Sequence, residues 1–482
     1  MIIHRMSTRP LTAALFATLL AGCGTPGSDP GGTTGGNPTE SATPPVGTQV
    51  HVGGALTMRE VTSDGWAIYS DNATLTLHAV PIAGGAPQDI VALGNDFAVS
   101  NWGKVVFAWS HKSAAGVGAL TVWTAASGAH TLSQASLAPW VAASTDGSHI
   151  LYLDKVDAAG QTGDLVTAGG DGSSPKVLLT ALDGLQNDGC RALMGFAGTY
   201  ALAGHCDAGA KQVTISSFAM PSWTRADLAT NAADNWSTDP AGTLLLTATS
   251  AGTIVVPLAG GAATTIDPTG GTGVLVDNGK SAIYGTSANA LRRSPVSAPS
   301  PTTLVASGVG GLYAVSPDEK SVMFYKDLDP VHLVSDMYLT SAATAGAPMT
   351  LSATQTAGVF GDPFTADASH ALYSTEVDPM LQTSTLNTLA LSTQTSKVVA
   401  HDVSVVWAAT GAKIVFSDHY AFSGSRGHAD VRTFDTSKGG DPTLIVNQAD
   451  SEIFLSPAHD QIIYTWSLED SARAGLYVAP IP

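Results

Sequence analysis

Residues 142 to 154 read AASTDGSHILYLD, an Asp146-Gly147 turn followed by an alternating run that ends in Ile150, Leu151 and Tyr152. Asp-Gly suits a tight reversal because both residues tolerate positive φ, and the alternation after it is the period of a half-buried strand. Close copies recur along the chain: VTSDGWAIYS, VSPDEKSVMFY and LSPAHDQIIY at residues 61–70, 315–325 and 455–464. Aligning the apolar run after each turn gives ten anchors, at Tyr69, Phe107, Tyr152, Leu202, Leu246, Tyr284, Tyr325, Tyr373, Phe416 and Tyr464, about 44 residues apart. MGFAGTYALAG and AATGAKIVFS keep the strand but lack the acidic turn residue.

A second alternating strand follows each anchor and often ends in a glycine turn, as in LTLHAVPIAGG, TIVVPLAGG and DVRTFDTSKGG. Each unit therefore reads as strand A, turn, strand B, variable loop, strand C, turn, strand D. Composition agrees: 51 glycines and only 12% charged residues disfavour helix bundles. Four strands per unit predict an all-β chain, a β-propeller of four-stranded blades, with ten repeat units counted and 8–10 blades expected. A single blade cannot cover its own two faces, so each needs a neighbour, and a ring removes exposed ends. The aromatic anchor is expected to pack between blades. The last unit stops at GLYVAPIP, residues 475–482, one strand short, and TQVHVGG at 48–54 is expected to supply the missing outer strand.

The turn and strand phrases resemble the TolB-type, WD40-like propeller repeat over roughly residues 50–482. The nearest matches are Ser316-Pro317-Asp318 with Phe324-Tyr325, then Asp336-Met337-Tyr338. The resemblance implies the propeller fold and envelope-complex assembly; it assigns no activity.

Residues 1–22 are expected to be a lipoprotein signal peptide. LTAALFATLLAG at 11–22 is an uncharged stretch behind Arg5 and Arg9, too short to span a bilayer comfortably. It runs into Leu20-Ala21-Gly22-Cys23, which resembles the bacterial lipobox and implies lipidation of Cys23. Residues 23–48 carry that anchor and a disordered linker in which Gly, Pro, Thr and Ser fill 20 of the 25 positions from 24 to 48. Such a coil reaches about 25–30 Å. Residues 49–482 form the propeller. The expected address is the cell envelope, with the outer membrane holding the lipid and the domain facing the periplasm or the cell surface. Contact with the membrane is expected through the lipid alone, and the chain is expected to be a monomer. A net charge of −18 repels nucleic acid and anionic headgroups. Cys190 and Cys206 flank a turn at Gly198 and would face each other in a hairpin, as a disulfide or as two reduced thiols.

No HExxH, GxSxG or EF-hand pattern occurs, and NGKS at 278–281 lacks the phosphate-loop glycine because Val274 stands there. Topology puts the B–C and D–A connections on one face and the A–B and C–D turns on the other. Four late B–C stretches are the longest and most polar, at 326–336, 374–384, 417–430 and 466–475. They carry the candidate binding residues Asp327, Asp329, His332, Glu376, Asp378, Asp418, His419, Arg426, His428 and Asp430. No catalytic residue is assigned and no cofactor is required; a divalent metal held by these carboxylates and histidines is the variant expectation. The function read from this pattern is a protein- or peptide-binding platform in the envelope. Its alternative is a propeller enzyme, a hydrolase or lyase on extracellular polymer.

Overall fold

In the computed structural model the described residues are 45–482 without 95, 186–192, 207–212, 330–333, 358–360, 379–382, 424–425, 451 and 468–472. Cys23, Cys190 and His332 lie outside them. The described residues contain strands, turns and bends but no helix, and so no helix able to cross a membrane.

Antiparallel meanders of described residues follow one another along the chain, six of them four-stranded sheets with the first strand at one edge and the fourth at the other. Blades 1 to 3 occupy residues 56–92, 98–137 and 141–182. Blades 4 and 5 share one long strand, Thr224–Thr238, whose first half pairs with Val213–Ala219 and whose second half pairs with Leu244–Thr249. Blades 6, 7 and 9 span 270–305, 311–357 and 405–450. Blade 8 keeps strands B to D, His370–Asp378, Thr383–Ala390 and Thr395–Val403, and reduces strand A to a bridge between Phe364 and Ala371. Its chain instead reaches sideways: Gly361 bridges in parallel to Val406 of blade 9, at φ +127° and so close that an added Cβ would strike the Val406 carbonyl. Glycine is required there.

Blade 10 closes the circle. Ile453–Leu455, Gln461–Trp466 and Gly475–Pro480 are joined on the outer edge by Thr48–Val52, in register Thr48↔Val478 and Val52↔Gly475. Tyr464 donates its hydroxyl to the Val46 carbonyl at 2.6 Å, and Gly53 N–H donates to Ala474 at 2.9 Å. The expected closure by the N-terminal strand is the one observed.

The core is distributed among the gaps. Ten hydrophobic clusters of described residues each join consecutive blades, from Ile68 and Leu77 with Val106 and Trp123 between blades 1 and 2 to Met58 and Tyr69 with Ile463 and Leu476 between blades 1 and 10. Because the last blade packs on the first and each blade packs on its successor, this is one ring of ten.

All ten anchors fall on strand B. Tyr69, Tyr152, Tyr284, Tyr373, Phe416 and Tyr464 face the preceding blade. Phe107, Leu202, Leu246 and Tyr325 face the following one. A one-residue slip moves a strand side chain to the other face. In blade 7 the residue in phase with Tyr152 is therefore Phe324, fully buried, while Tyr325 is half-buried.

The quoted turn is held by its first hydroxyl. Ser144 Oγ donates to Asp146 Oδ1 at 2.7 Å and accepts the His149 N–H at 2.9 Å. Thr62, Ser316 and Thr365 do the same in blades 1, 7 and 8, and in blade 10 Ser456 donates to Asp460, four residues on, and accepts the Gln461 N–H. The third residue beyond each hydroxyl has positive φ: Gly65 and Gly147, but also Glu319, Ala368 and His459. Hydrogen bonds from Ser144 and Ser148 hold Asp146 down at about 2. A carboxylate depressed in the fold adds stability above its unfolded pKa near 4, and that part is lost as pH falls from about 4 towards 2. Ser144→Ala should cost about 1 kcal/mol at pH 7 through the stranded His149 N–H. It should also flatten the acid dependence below pH 4. Denaturant titrations at pH 7 and pH 3 measure both.

Candidate functional site

Strands B and C of blade 9, Lys413–Ser423 and Arg426–Asp435, run past the blade body as a two-stranded ribbon. Their ladder slips between Asp418 and Ala421, where His419 adopts φ +52°. The slip swings His419 back over the Asp418↔Asp430 pair. His419 Nδ1 lies 3.2 Å from Asp418 Oδ1 and 3.6 Å from Asp430 Oδ2, and the ligand atoms of the three lie within 4.8 Å of one another. Arg432, two residues beyond Asp430 on the same strand, sits beneath them: its Nε is 2.8 Å from Asp418 Oδ2 and its Nη2 3.4 Å from Asp430 Oδ2. Asp418 is buried, and burial pushes its carboxyl up despite the opposing pull of Arg432 and His419.

The ring supplies its own comparison. In blade 3 the facing pair is Asp154↔Asp164, followed by Lys155 at φ +50°, whose ammonium reaches Asp164 Oδ2 at 3.2 Å. In blade 8 the facing pair is Thr375↔Thr385, followed by Glu376 at φ +53°, whose Oε2 accepts the Thr385 hydroxyl at 2.7 Å. Strand B thus leaves its ladder through a left-handed residue whose side chain folds back on strand C. His419 is the blade 9 version, with an imidazole where blade 3 has the Lys155 ammonium. Asp430 has a further duty to the fold. Its Oδ1 accepts the N–H of Gln448, which bulges from strand D at φ +55°, as Asp164 accepts that of Ala181 at φ +53°.

The other candidates divide. His428 is buried and turns away from the cluster, to 3.2 Å from Asp450, so the expected grouping of His428 with Asp418 and His419 is corrected. The cause is alternate pairing: His428 lies opposite Asp450 on strand D. Glu376 is exposed, and Asp378 pairs with Thr383 across the blade 8 ribbon. The described carboxylates of blade 8 do not join a three-ligand group with those of blade 7. Asp329 pairs with Val334 and Arg426 with Ser423; the side chains of Asp327, Asp329 and Arg426 lie outside the described residues. Three of the stretches read as loops, at 326–336, 374–384 and 417–430, are largely strand in their described residues, because alternation continues through them and the ladder resumes after each slip. Cys206 is buried and disulfide-bonded.

Sequence reasoning missed Arg432 and Asp450. The two-residue spacing of Asp430 and Arg432 was the available signal. Removing Arg432 would leave the buried Asp418 carboxylate without its charge-assisted bonds. Arg432→Met should cost about 2–3 kcal/mol at pH 8 and less at pH 5, because losing the guanidinium adds to the upward push of burial on the Asp418 carboxyl. Urea denaturation at the two pH values reads this difference.

No protein-family model matches the chain, and no curated protein sequence matches it. Among solved structures it is similar to a eukaryotic initiation factor, at 11% identity over 83% of this chain and 90% of that one, with a TM-score of 0.46. It is similar to Porphyromonas gingivalis dipeptidyl peptidase 4, at 10% identity over 87% and 65%, with a TM-score of 0.44. It is also similar to an oligogalacturonate lyase in complex with manganese, at 12% identity over 81% and 98%, with a TM-score of 0.36. The fold assignment stands on the sheet order and the inter-blade cores, and the chain is a β-propeller.

Proposed function

We propose that this protein is a cell-envelope lipoprotein, tethered through Cys23, whose B–C face is a platform for a protein or peptide partner. The asymmetry of that face carries the reading. Blades 7, 8 and 9 raise adjacent ribbons beyond their slips, at Asp329↔Val334, Asp378↔Thr383 and Ser423↔Arg426. Blades 1 and 5 instead turn at once, at Asp71↔Thr76 and Thr249↔Gly252. A wall on one arc of a ring, backed by rigid sheet, is a shape that suits docking of an extended or folded surface. The TolB-type resemblance supports assembly in the envelope, and a Cys190–Cys206 disulfide accords with export.

Affinity capture from detergent-solubilised envelope tests this. The full chain should retain a stoichiometric partner, and a variant with residues 421–428 replaced by two glycines should lose it. Equal retention by both would overturn the ribbon wall as the docking surface. The convergence of Asp418, His419 and Asp430 favours a second reading, a metal-dependent propeller enzyme. Its signature would be no partner, but a divalent ion that copurifies with the chain and is lost in Asp418→Asn.

A further inference from the structure

The innermost strands of the nine blades that keep strand A carry one basic residue among those described, Arg59 in Leu56–Val61. It is the extra residue of a β-bulge, since Met58 pairs with Tyr69 and Glu60 with Ile68. Bulges re-aim side chains. This one sends the guanidinium toward the inner ends of three consecutive blades. Its carbon lies 5.0 Å from the ring of Phe97, which precedes the inner strand of blade 2. The opposite charge that acts on it is Glu452, which precedes the inner strand of blade 10. These D–A connections share the face of the ribbons, so the group stands at that mouth of the central channel.

Arg59 is poorly satisfied there. Nε donates to Ser70 Oγ at 3.1 Å, but among the described residues neither Nη makes a hydrogen bond, and no ion pair within 4.0 Å joins Arg59 to Glu452. Surrounding protein lowers the guanidinium's pKa and raises that of Glu452, although Glu452 is open to solvent along the channel. A partly desolvated guanidinium with a free two-pronged edge has its full recognition capacity in reserve.

We propose that Arg59 is the anchor of an anion site at the channel mouth that takes the carboxylate of an organic acid or of a peptide C-terminus. A carboxylate matches the free edge of the guanidinium in pairs. Glu452, without a hydrogen-bond partner among the described residues, accepts an N–H or O–H from the same ligand. Its charge disfavours a dianion such as phosphate, and the Phe97 face offers the organic part an apolar wall.

Calorimetric titration of the full chain tests this with four probes: a mixed-sequence hexapeptide pool with free C-termini, the same pool amidated, N-acetylalanine and its amide. The free-carboxylate form of each pair is expected to bind about tenfold more tightly than its amide, a preference that Arg59→Gln abolishes. Arg59→Lys, which keeps charge without the fork, should retain part of it. Tighter binding of the peptides than of N-acetylalanine would identify a peptide end; equal binding would identify a free small acid. No preference for carboxylate over amide, or an undiminished preference in both variants, would overturn the site. Retention of the envelope partner by Arg59→Gln would leave the ribbon platform standing while this site failed.

Discussion

Removing residues 45–54 should lower the stability of blade 10 by about 5 kcal/mol, from the half-dozen backbone and side-chain hydrogen bonds lost at about 0.5–1.5 kcal/mol each. The bonds are those of the ladder Thr48↔Val478 to Val52↔Gly475, with the Tyr464 hydroxyl on Val46 and the Gln49 amide on the Ala474 carbonyl at 3.2 Å. Val50 also packs on the cluster that joins Tyr69 to Ile463 and Leu476, and His51 lies 5.0 Å from the Tyr69 ring. The strand therefore completes a sheet and seals the seam between the last blade and the first. In a ring held by neighbour contacts the loss should stay local. Hydrogen exchange should accelerate across Gln461–Trp466 and Gly475–Pro480 while the strands of blades 3 to 5 keep their protection. Unchanged protection at 475–480 would mean that the closure contributes nothing.

Phe416→Ala should cost about 3–5 kcal/mol. Phe416 is fully buried between blades 8 and 9 against Leu372, Leu386, Val406, Ile414 and Phe434. Blade 8 has only a bridge where its neighbours have strand A. Val398→Ala, on the outer strand of the same blade and 49% exposed, is the matched control and should change stability by less than about 0.5 kcal/mol. Denaturant midpoints of the two variants give the comparison, and equal losses would show that the gaps are not the core.

The repeated turn was legible because its chemistry is local: a hydroxyl, an aspartate and a left-handed residue within four positions determine it. Phase was harder. At Tyr152 the turn residues fix which side chain faces which neighbour, whereas at Phe107 and Leu202 an all-apolar strand offers two equal choices. The candidate site was legible as a neighbourhood. Asp418, His419 and Asp430 do meet, but through a ladder slip that turns His419 left-handed, and no sequence pattern announces that slip. His428 was misplaced because its partner, Asp450, lies on a third strand. Arg59 escaped notice for the same kind of reason. A lone arginine in Leu56–Val61 looks like any half-buried strand residue until the pairing shows that it is the bulged one.

Electron microscopy of the isolated chain tests the central claim most directly. End-on class averages should show ten spokes around one central hole, with no break between the blade formed by 453–480 and the one formed by 56–92. Two smaller rings, or an arc open at that seam, would contradict the account.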